Sequence, residues 1–277
     1  MKKMLITIVI GAPIIIVGSI FLIYAIFMVT KPYSIDSEHV YDSKKRIVPD
    51  ADPATFKLID SQVTENGSYS LYFKDKNHVF YQEHDTQDYL ITPIPAADPY
   101  TFDVVKRNGE VEFAKDKNHV YEAGIAIPSA DPKTYMTYGP TTAFSKDANH
   151  VYCRSGKSTT VPGTDSANFN IVQYEDRFSK RPVYSSYATT DNHVIFAGDA
   201  CAILEGADPK KFKLLAGYLT EIASDSSHIY IKGKSVPIDI STFELLVDER
   251  NGWATGFKDK NHTYTFEGQS DSYKLVR

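Results

Sequence analysis

Seven of the eight histidines in this 277-residue chain occupy one position of one recurring segment, and only His84 stands outside it. The segment is an Asp/Asn-rich turn, then His, then a short apolar and aromatic run. It reads Asp75-Lys76-Asn77-His78-Val79-Phe80, Asp116-Lys117-Asn118-His119-Val120-Tyr121 and Asp147-Ala148-Asn149-His150-Val151-Tyr152. It returns as Asp225-Ser226-Ser227-His228-Ile229-Tyr230 and Asp259-Lys260-Asn261-His262-Thr263-Tyr264, with weaker copies at Glu38-His39-Val40-Tyr41 and Asp191-Asn192-His193-Val194. Self-similarity of this kind marks a repeat architecture, in which each copy is one small unit that must bury its apolar face on its neighbours.

A second landmark alternates with the first. It is an Asp followed four residues later by an aromatic, in the pairs Asp52/Phe56, Asp98/Phe102, Asp131/Tyr135, Asp165/Phe169, Asp208/Phe212 and Asp239/Phe243. Pro53, Pro99, Pro132 and Pro209 directly follow the Asp in four of them. Asp before Pro reads as a helix N-cap with Pro at the first helical position. Each copy is therefore expected to form one helical turn that folds its aromatic back into a core.

The stretches between landmarks read as short strands. Asn66-Gly67, Asn108-Gly109 and Asn251-Gly252 are hairpin signals. In the Asp-x-Asn turn, side chains bond their own backbone and tolerate left-handed geometry. The His-Val-Tyr strand then runs to a glycine turn, at Gly124, Gly156, Gly233 and Gly268. The expected fold is all-β: six repeats of about four antiparallel strands, plus a half repeat from His39 to about Pro49. The His-to-His spacings are 39, 41, 31, 43, 35 and 34 residues. Three of these are short for a propeller blade of roughly 40–45 residues, so an open, curved array of β-meanders is favoured over a closed β-propeller.

The turn with its Val-Tyr strand, alternating with Ala51-Asp52-Pro53-Ala54-Thr55-Phe56 and Ala97-Asp98-Pro99-Tyr100-Thr101-Phe102, resembles the DKNYY repeat family of bacterial proteins. The resemblance spans roughly residues 36–277. It implies a bacterial envelope protein with no established biochemical activity, and it supplies no catalytic residues.

Ahead of the repeats, Met4–Val29 is an uncharged, largely apolar run of 26 residues. About 20 residues in a helix cross the hydrocarbon core, so the run is long enough to span a membrane with some tilt. Pro13 is tolerable in such a helix. A cleaved signal peptide would have a shorter apolar core and a small-residue site, and Ala25-Ile26-Phe27 is not one. Lys2 and Lys3 precede the run and Lys31 follows it, which favours a cytoplasmic N-terminus and an extracytoplasmic domain. The expected organisation is a stub and single-pass transmembrane helix over residues 1–31, and a β-repeat domain over 32–277.

Charge narrows the function classes. Those three lysines leave 27 basic against 35 acidic residues in the domain, a net of −8. That balance argues against nucleic acid, which needs a basic footprint, and against an anionic membrane surface.

The residue chemistry points to structure more than to catalysis. One histidine per repeat spaces His78, His119, His150, His193, His228 and His262 too widely for a common zinc site, so turn closure is the favoured role over metal binding or pH sensing. Asp75, Asn77, Asp116, Asn118, Asp147, Asn149, Asp259 and Asn261 are read as turn formers. A calcium loop would need a central Gly and a terminal Glu, which do not follow Asp75 or Asp116. The motifs G-x-S-x-G, H-E-x-x-H and G-x-G-x-x-G are absent, and Gly156-Lys157-Ser158 lacks the partner glycine of a phosphate loop. No cofactor is expected. Cys153 and Cys201, the only cysteines, fit either a disulfide across successive repeats or two buried thiols. The residues between Ile171 and Thr190 look like an insertion, either a partner site or a tolerated loop. The leading expectation is a non-catalytic, membrane-anchored scaffold or protein-binding domain. The competing one is a module that binds or acts on cell-wall or surface glycans.

Overall fold

The computed structural model describes residues 32–63, 69–83, 90–139, 142–154, 158–176, 180–198, 201–217, 221–248, 253–266 and 273–275. The apolar run Met4–Val29 lies outside them, as do Asn66-Gly67, His84, Gly156, Asn251-Gly252 and Gly268. Among the described residues no helix is long and apolar enough to cross a membrane.

The described residues form one two-stranded sheet and six four-stranded sheets. Within each sheet the strands follow one another in chain order, and every pair is antiparallel. The half repeat pairs Tyr33–Ile35 with Val40–Asp42. Repeat 1 begins with Lys57–Val63, repeat 2 with Asp103–Arg107, repeat 3 with Met136–Thr137, repeat 4 with Asn170–Glu175, repeat 5 with Lys213–Ala216 and repeat 6 with Glu244–Val247. The only helix among the described residues is one 3-10 turn, Ile240–Thr242.

Local chemistry explains the short strands. Asn108 and Gly109 both take positive φ, 54° and 89°, as a two-residue hairpin with right-handed twist requires. Ala123-Gly124 and Lys232-Gly233 do the same between third and fourth strands. Five of the six first hairpins carry a register shift, for example between Val105 and Lys106. Such bulges raise the local twist of the hairpin. The residues after Ile171 are no insertion. Asn170–Glu175 pairs with Pro182–Thr189 as the first hairpin of repeat 4, lengthened but in register with the repeat pattern.

The chain divides into two compact units, Met1–Pro99 and Tyr100–Arg277. In the first, Val40 and Val48 of the half repeat share a core with Phe56, Leu71, Phe73 and Phe80 of repeat 1. In the second, four cores lie between successive sheets. Phe113, Val120, Tyr135 and Tyr152 join repeats 2 and 3, and Phe144, Cys153, Phe169, Ile171 and Ile195 join repeats 3 and 4. Tyr187, Val194, Ala223 and Tyr230 join repeats 4 and 5, and Ile222, Ile229, Ile231 and Phe257 join repeats 5 and 6. Third strands such as Val151–Cys153 and Ile229–Ile231 are buried at every residue. A strand covered on both faces reads as a continuous apolar run instead of an alternating one.

Five of the six linker aromatics, all but Phe102, sit in these cores. Phe56, Phe102, Tyr135 and Phe169 are buried, while Phe212 and Phe243 are half-buried. The linkers are single turns: the Phe56 amide donates to the Asp52 carbonyl at 3.0 Å, and the Tyr135 amide to the Asp131 carbonyl at 2.9 Å.

Candidate functional site

The polar residues that recur in repeats 1, 2, 3, 5 and 6 converge on one carboxylate, that of the turn aspartate. Asp147 shows the full set of bonds, and Asp225 repeats it. The Asp147 Oδ1 accepts the amides of Asn149 and His150, each at 2.7 Å. Its Oδ2 accepts the Tyr152 hydroxyl at 2.7 Å and the amide of the linker residue Asp131 at 2.9 Å. Its own amide donates to the His150 carbonyl at 3.0 Å. One buried side chain thus ties together a turn, the strand after it and the linker before the repeat. The two landmarks of the sequence are two halves of one node.

The same bonds recur. Asp75, Asp116, Asp225 and Asp259 each accept the two amides of their own turn at 2.6–2.7 Å. Linker amides reach back to three of them: Asp52 to Asp75 at 2.7 Å, Asp208 to Asp225 at 3.1 Å and Asp239 to Asp259 at 3.0 Å. The Tyr121 and Tyr230 hydroxyls donate to Asp116 and Asp225. Linker hydroxyls add a second tie. Thr55, Thr101, Thr134 and Thr242 accept the amides of Lys76, Lys117, Ala148 and Lys260. The linker aspartates cap their own turns, as Asp131 does with the Lys133 amide and Asp165 with the Ala167 amide.

Two turns differ from the sequence reading. The first copy is headed by Asp36, whose Oδ1 accepts the Glu38 and His39 amides at 2.8 and 2.7 Å and whose Oδ2 accepts the Tyr41 hydroxyl. Its signal was present: an Asp three residues before the His, as in the full copies. In repeat 4 the residue at that place is Thr190, not Asp191. The Thr190 Oγ1 accepts from Asn192 and His193 at 3.4 and 3.1 Å. Threonine has one side-chain oxygen, and the tyrosine that would bond a second oxygen is here Ile195. Asp191 instead accepts from the linker residue Asn168.

The histidines close the turn through their backbone, not through the ring. The His78, His119, His150, His228 and His262 rings are less than half exposed, with Nδ1 3.5–3.9 Å from the turn carboxylate, beyond hydrogen-bond reach. Each of these rings lies about 6 Å, centre to centre, from the aromatic two residues on. Among the described residues no group of His, Cys, Asp and Glu is placed to hold a metal ion.

The node keeps its charges in fixed states. Burial pushes the Asp147 carboxyl up, but the Tyr152 hydroxyl and three amides outweigh it, and the net shift is down. Asp225 is lowered in the same way, against its burial, by amides and Tyr230. Burial and the neighbouring carboxylate raise Tyr152 and Tyr230, which therefore stay protonated and donate. Lys260, then Ser241, hold the half-buried Asp239 at about 2.

Forward ties come from lysines that the sequence reading passed over. Lys74, Lys115 and Lys146 stand directly before a turn aspartate and donate to carbonyls of the following linker, at Pro99, Pro132 and Ser166, within 2.9–3.1 Å. The recurrent Lys-Asp pair was the available signal. Between repeats 2 and 3 lies a further cluster. Arg154 pairs with Glu122 at 2.7 Å, both side chains 16% exposed, and Glu122 also accepts from Tyr135 and Ser158. Breaking a partly buried pair strands the other charge. Glu122→Ala is expected to lower stability by about 2–3 kcal/mol, read as a shift in the urea midpoint.

Cys153 and Cys201 form a disulfide with Cα atoms 5.8 Å apart. It joins the third strand of repeat 3 to the fourth strand of repeat 4.

No curated protein and no solved structure matches the chain. The family model described as the DKNYY family matches residues 22–84 and 86–234. Repeat 6 lies beyond the matched residues but carries the same node at Asp259. The match covers most of the chain, and its aspartate turns recur as one bonded unit: the chain belongs to the DKNYY family.

Proposed function

We propose that this chain is a non-catalytic, membrane-anchored envelope protein whose β-repeat domain serves as a scaffold or binds another protein outside the cytoplasmic membrane. The observation that carries the non-catalytic part is the occupancy of the turn carboxylates. The residues that recur most faithfully have their acceptor oxygens filled by amides and hydroxyls of the same chain. A carboxylate so engaged is a poor general base or metal ligand. The apolar run Met4–Val29, with Lys2 and Lys3 before it, supports the anchor and the orientation. The Cys153–Cys201 bridge supports an oxidising compartment. We further propose that repeats 2–6 are stabilised neighbour by neighbour, since successive sheets there share cores pairwise.

One feature favours the glycan reading. Tyr184 is 40% exposed and meets Tyr138 edge-on at 5.9 Å, a surface aromatic pair on which a sugar ring could stack. Crosslinking and pull-down of the full chain from intact membranes separates the two. Recovery of a defined protein partner supports the leading reading. Recovery of cell-wall polysaccharide alone, lost in Tyr184→Ala, supports the second. Resistance of the domain to protease added outside intact cells would refute the orientation.

A further inference from the structure

Repeat 3 is the smallest four-stranded sheet among the described residues. Its four strands, Met136–Thr137, Phe144–Lys146, Val151–Cys153 and Thr159–Thr160, have two or three residues each. First strands of the other repeats have four to seven. So few ladder bonds leave repeat 3 dependent on its neighbours. Two consecutive residues supply that dependence. Arg154 reaches Glu122 of repeat 2, and Cys153 is bonded to Cys201 of repeat 4. Arg154 directly follows the strand that Cys153 ends, so one short strand end is tied to both neighbours.

We propose that the Cys153–Cys201 bridge is a redox latch on repeat 3: oxidised, it holds the sheet shut, and reduced, it lets repeat 3 open locally while repeat 5 stays folded. The bridge runs from a packed core to the half-buried Cys201 on the edge strand of repeat 4. Cys153 is 1% exposed, among Phe144, Val151, Phe169, Ile171 and Ile195. Reduction cuts the cross-link between repeats 3 and 4 and leaves the smallest four-stranded sheet held by its short ladders and its core. Closure is a two-electron exchange. The two thiols pass two protons and two electrons to a disulfide oxidant of an oxidising compartment, which leaves as two thiols. The chain would then be lax at repeat 3 until it meets that oxidant, and locked after. The latch does not depend on what the domain binds, so its failure is distinguishable from failure of the partner reading.

The test uses the full chain in lipid nanodiscs, with amide exchange followed by mass spectrometry. Closing a loop with a sequence separation of 48 residues restricts the open state by a factor of about 100–1,000. A phosphine reductant should therefore speed exchange across Val151–Cys153 by about that factor, with Ile229–Ile231 of repeat 5 unchanged. Cys153→Ala/Cys201→Ala removes the bridge without a reductant and should speed exchange in the same place, with no further change on adding the phosphine. Unchanged exchange in repeat 3 on reduction, or an equal rise in every repeat, would overturn the latch. So would chain isolated from its native membrane with both thiols free.

Discussion

Replacing Asp147 by alanine is expected to lower stability by about 3–5 kcal/mol. The side chain is 2% exposed and accepts four hydrogen bonds at 2.7–2.9 Å. Alanine would leave the Asn149 and His150 amides, the Tyr152 hydroxyl and the Asp131 amide without that acceptor. Bonds to a charged acceptor contribute about 1.5–3 kcal/mol each, and the sum is tempered because water reaches the turn amides once the carboxylate is gone. Asp191→Ala is the matched control. It looks equivalent in sequence, but its carboxylate only meets Asn168 at the surface, and its loss should cost less than about 1 kcal/mol. Urea unfolding of the two variants checks the pair. Equal losses would remove the distinction between node and neighbour.

Protonation acts on the same bonds. The Asp147 and Asp225 carboxyls are lowered in the folded chain, despite burial, by the hydroxyl and amides they accept. A group with a lowered folded pKa binds protons more readily when unfolded. Its stabilisation is present above the ordinary carboxylate value of about 3.9 and is lost as pH falls through the folded value. Asp147→Asn should therefore flatten the fall in stability on acidification, as well as lower it at neutral pH.

Phe56→Ala should cost about 3–5 kcal/mol, and the loss should be local. The Phe56 ring stacks on Phe73 at 5.4 Å and meets Tyr33 and Phe80 edge-on at 5.1 and 5.2 Å. It is the joint between the half repeat and repeat 1. The half repeat has two strands and one further bridge, Tyr41 to Ile47, so it has little to hold it once that joint fails. Amide exchange should show Val40 and Val48 losing protection while repeats 4 and 5 keep theirs. Uniform loss along the chain would mean one global cooperative fold in place of neighbour-by-neighbour stability.

Much of this fold is local and therefore legible. The Asp-x-Asn-His turn, Asn108-Gly109 and the single linker turns are decided within four or five residues, and they delimit six four-stranded repeats. The half repeat is legible for the same reason, though its leading Asp36 was missed beside the more conspicuous His39. What the sequence hides is pairing across distance. Asp131 and Asp147 are 16 residues apart, Asp52 and Asp75 are 23 apart, and nothing local says that an amide of one bonds a carboxylate of the other. Cys153 and Cys201 could be read as bridged or free because the intervening hairpin of repeat 4 sets their distance. At Asp191 local pattern was misleading: the capping place is fixed by the strand register, which brings Thr190 to it. The long hairpin after Ile171 passed for an insertion because its added residues extend strands and add no element.

The node itself can be watched by NMR of the full chain, following turn amide protons through an acid titration. The amides of Asn149 and His150, and of Ser227 and His228, should shift together as the carboxylate each pair bonds takes a proton. The amides of Asn192 and His193 should not follow, because Thr190 carries no charge to lose. An identical titration at His193, or none at His150 and His228, would contradict the buried carboxylate as the point where turn, strand and linker are joined.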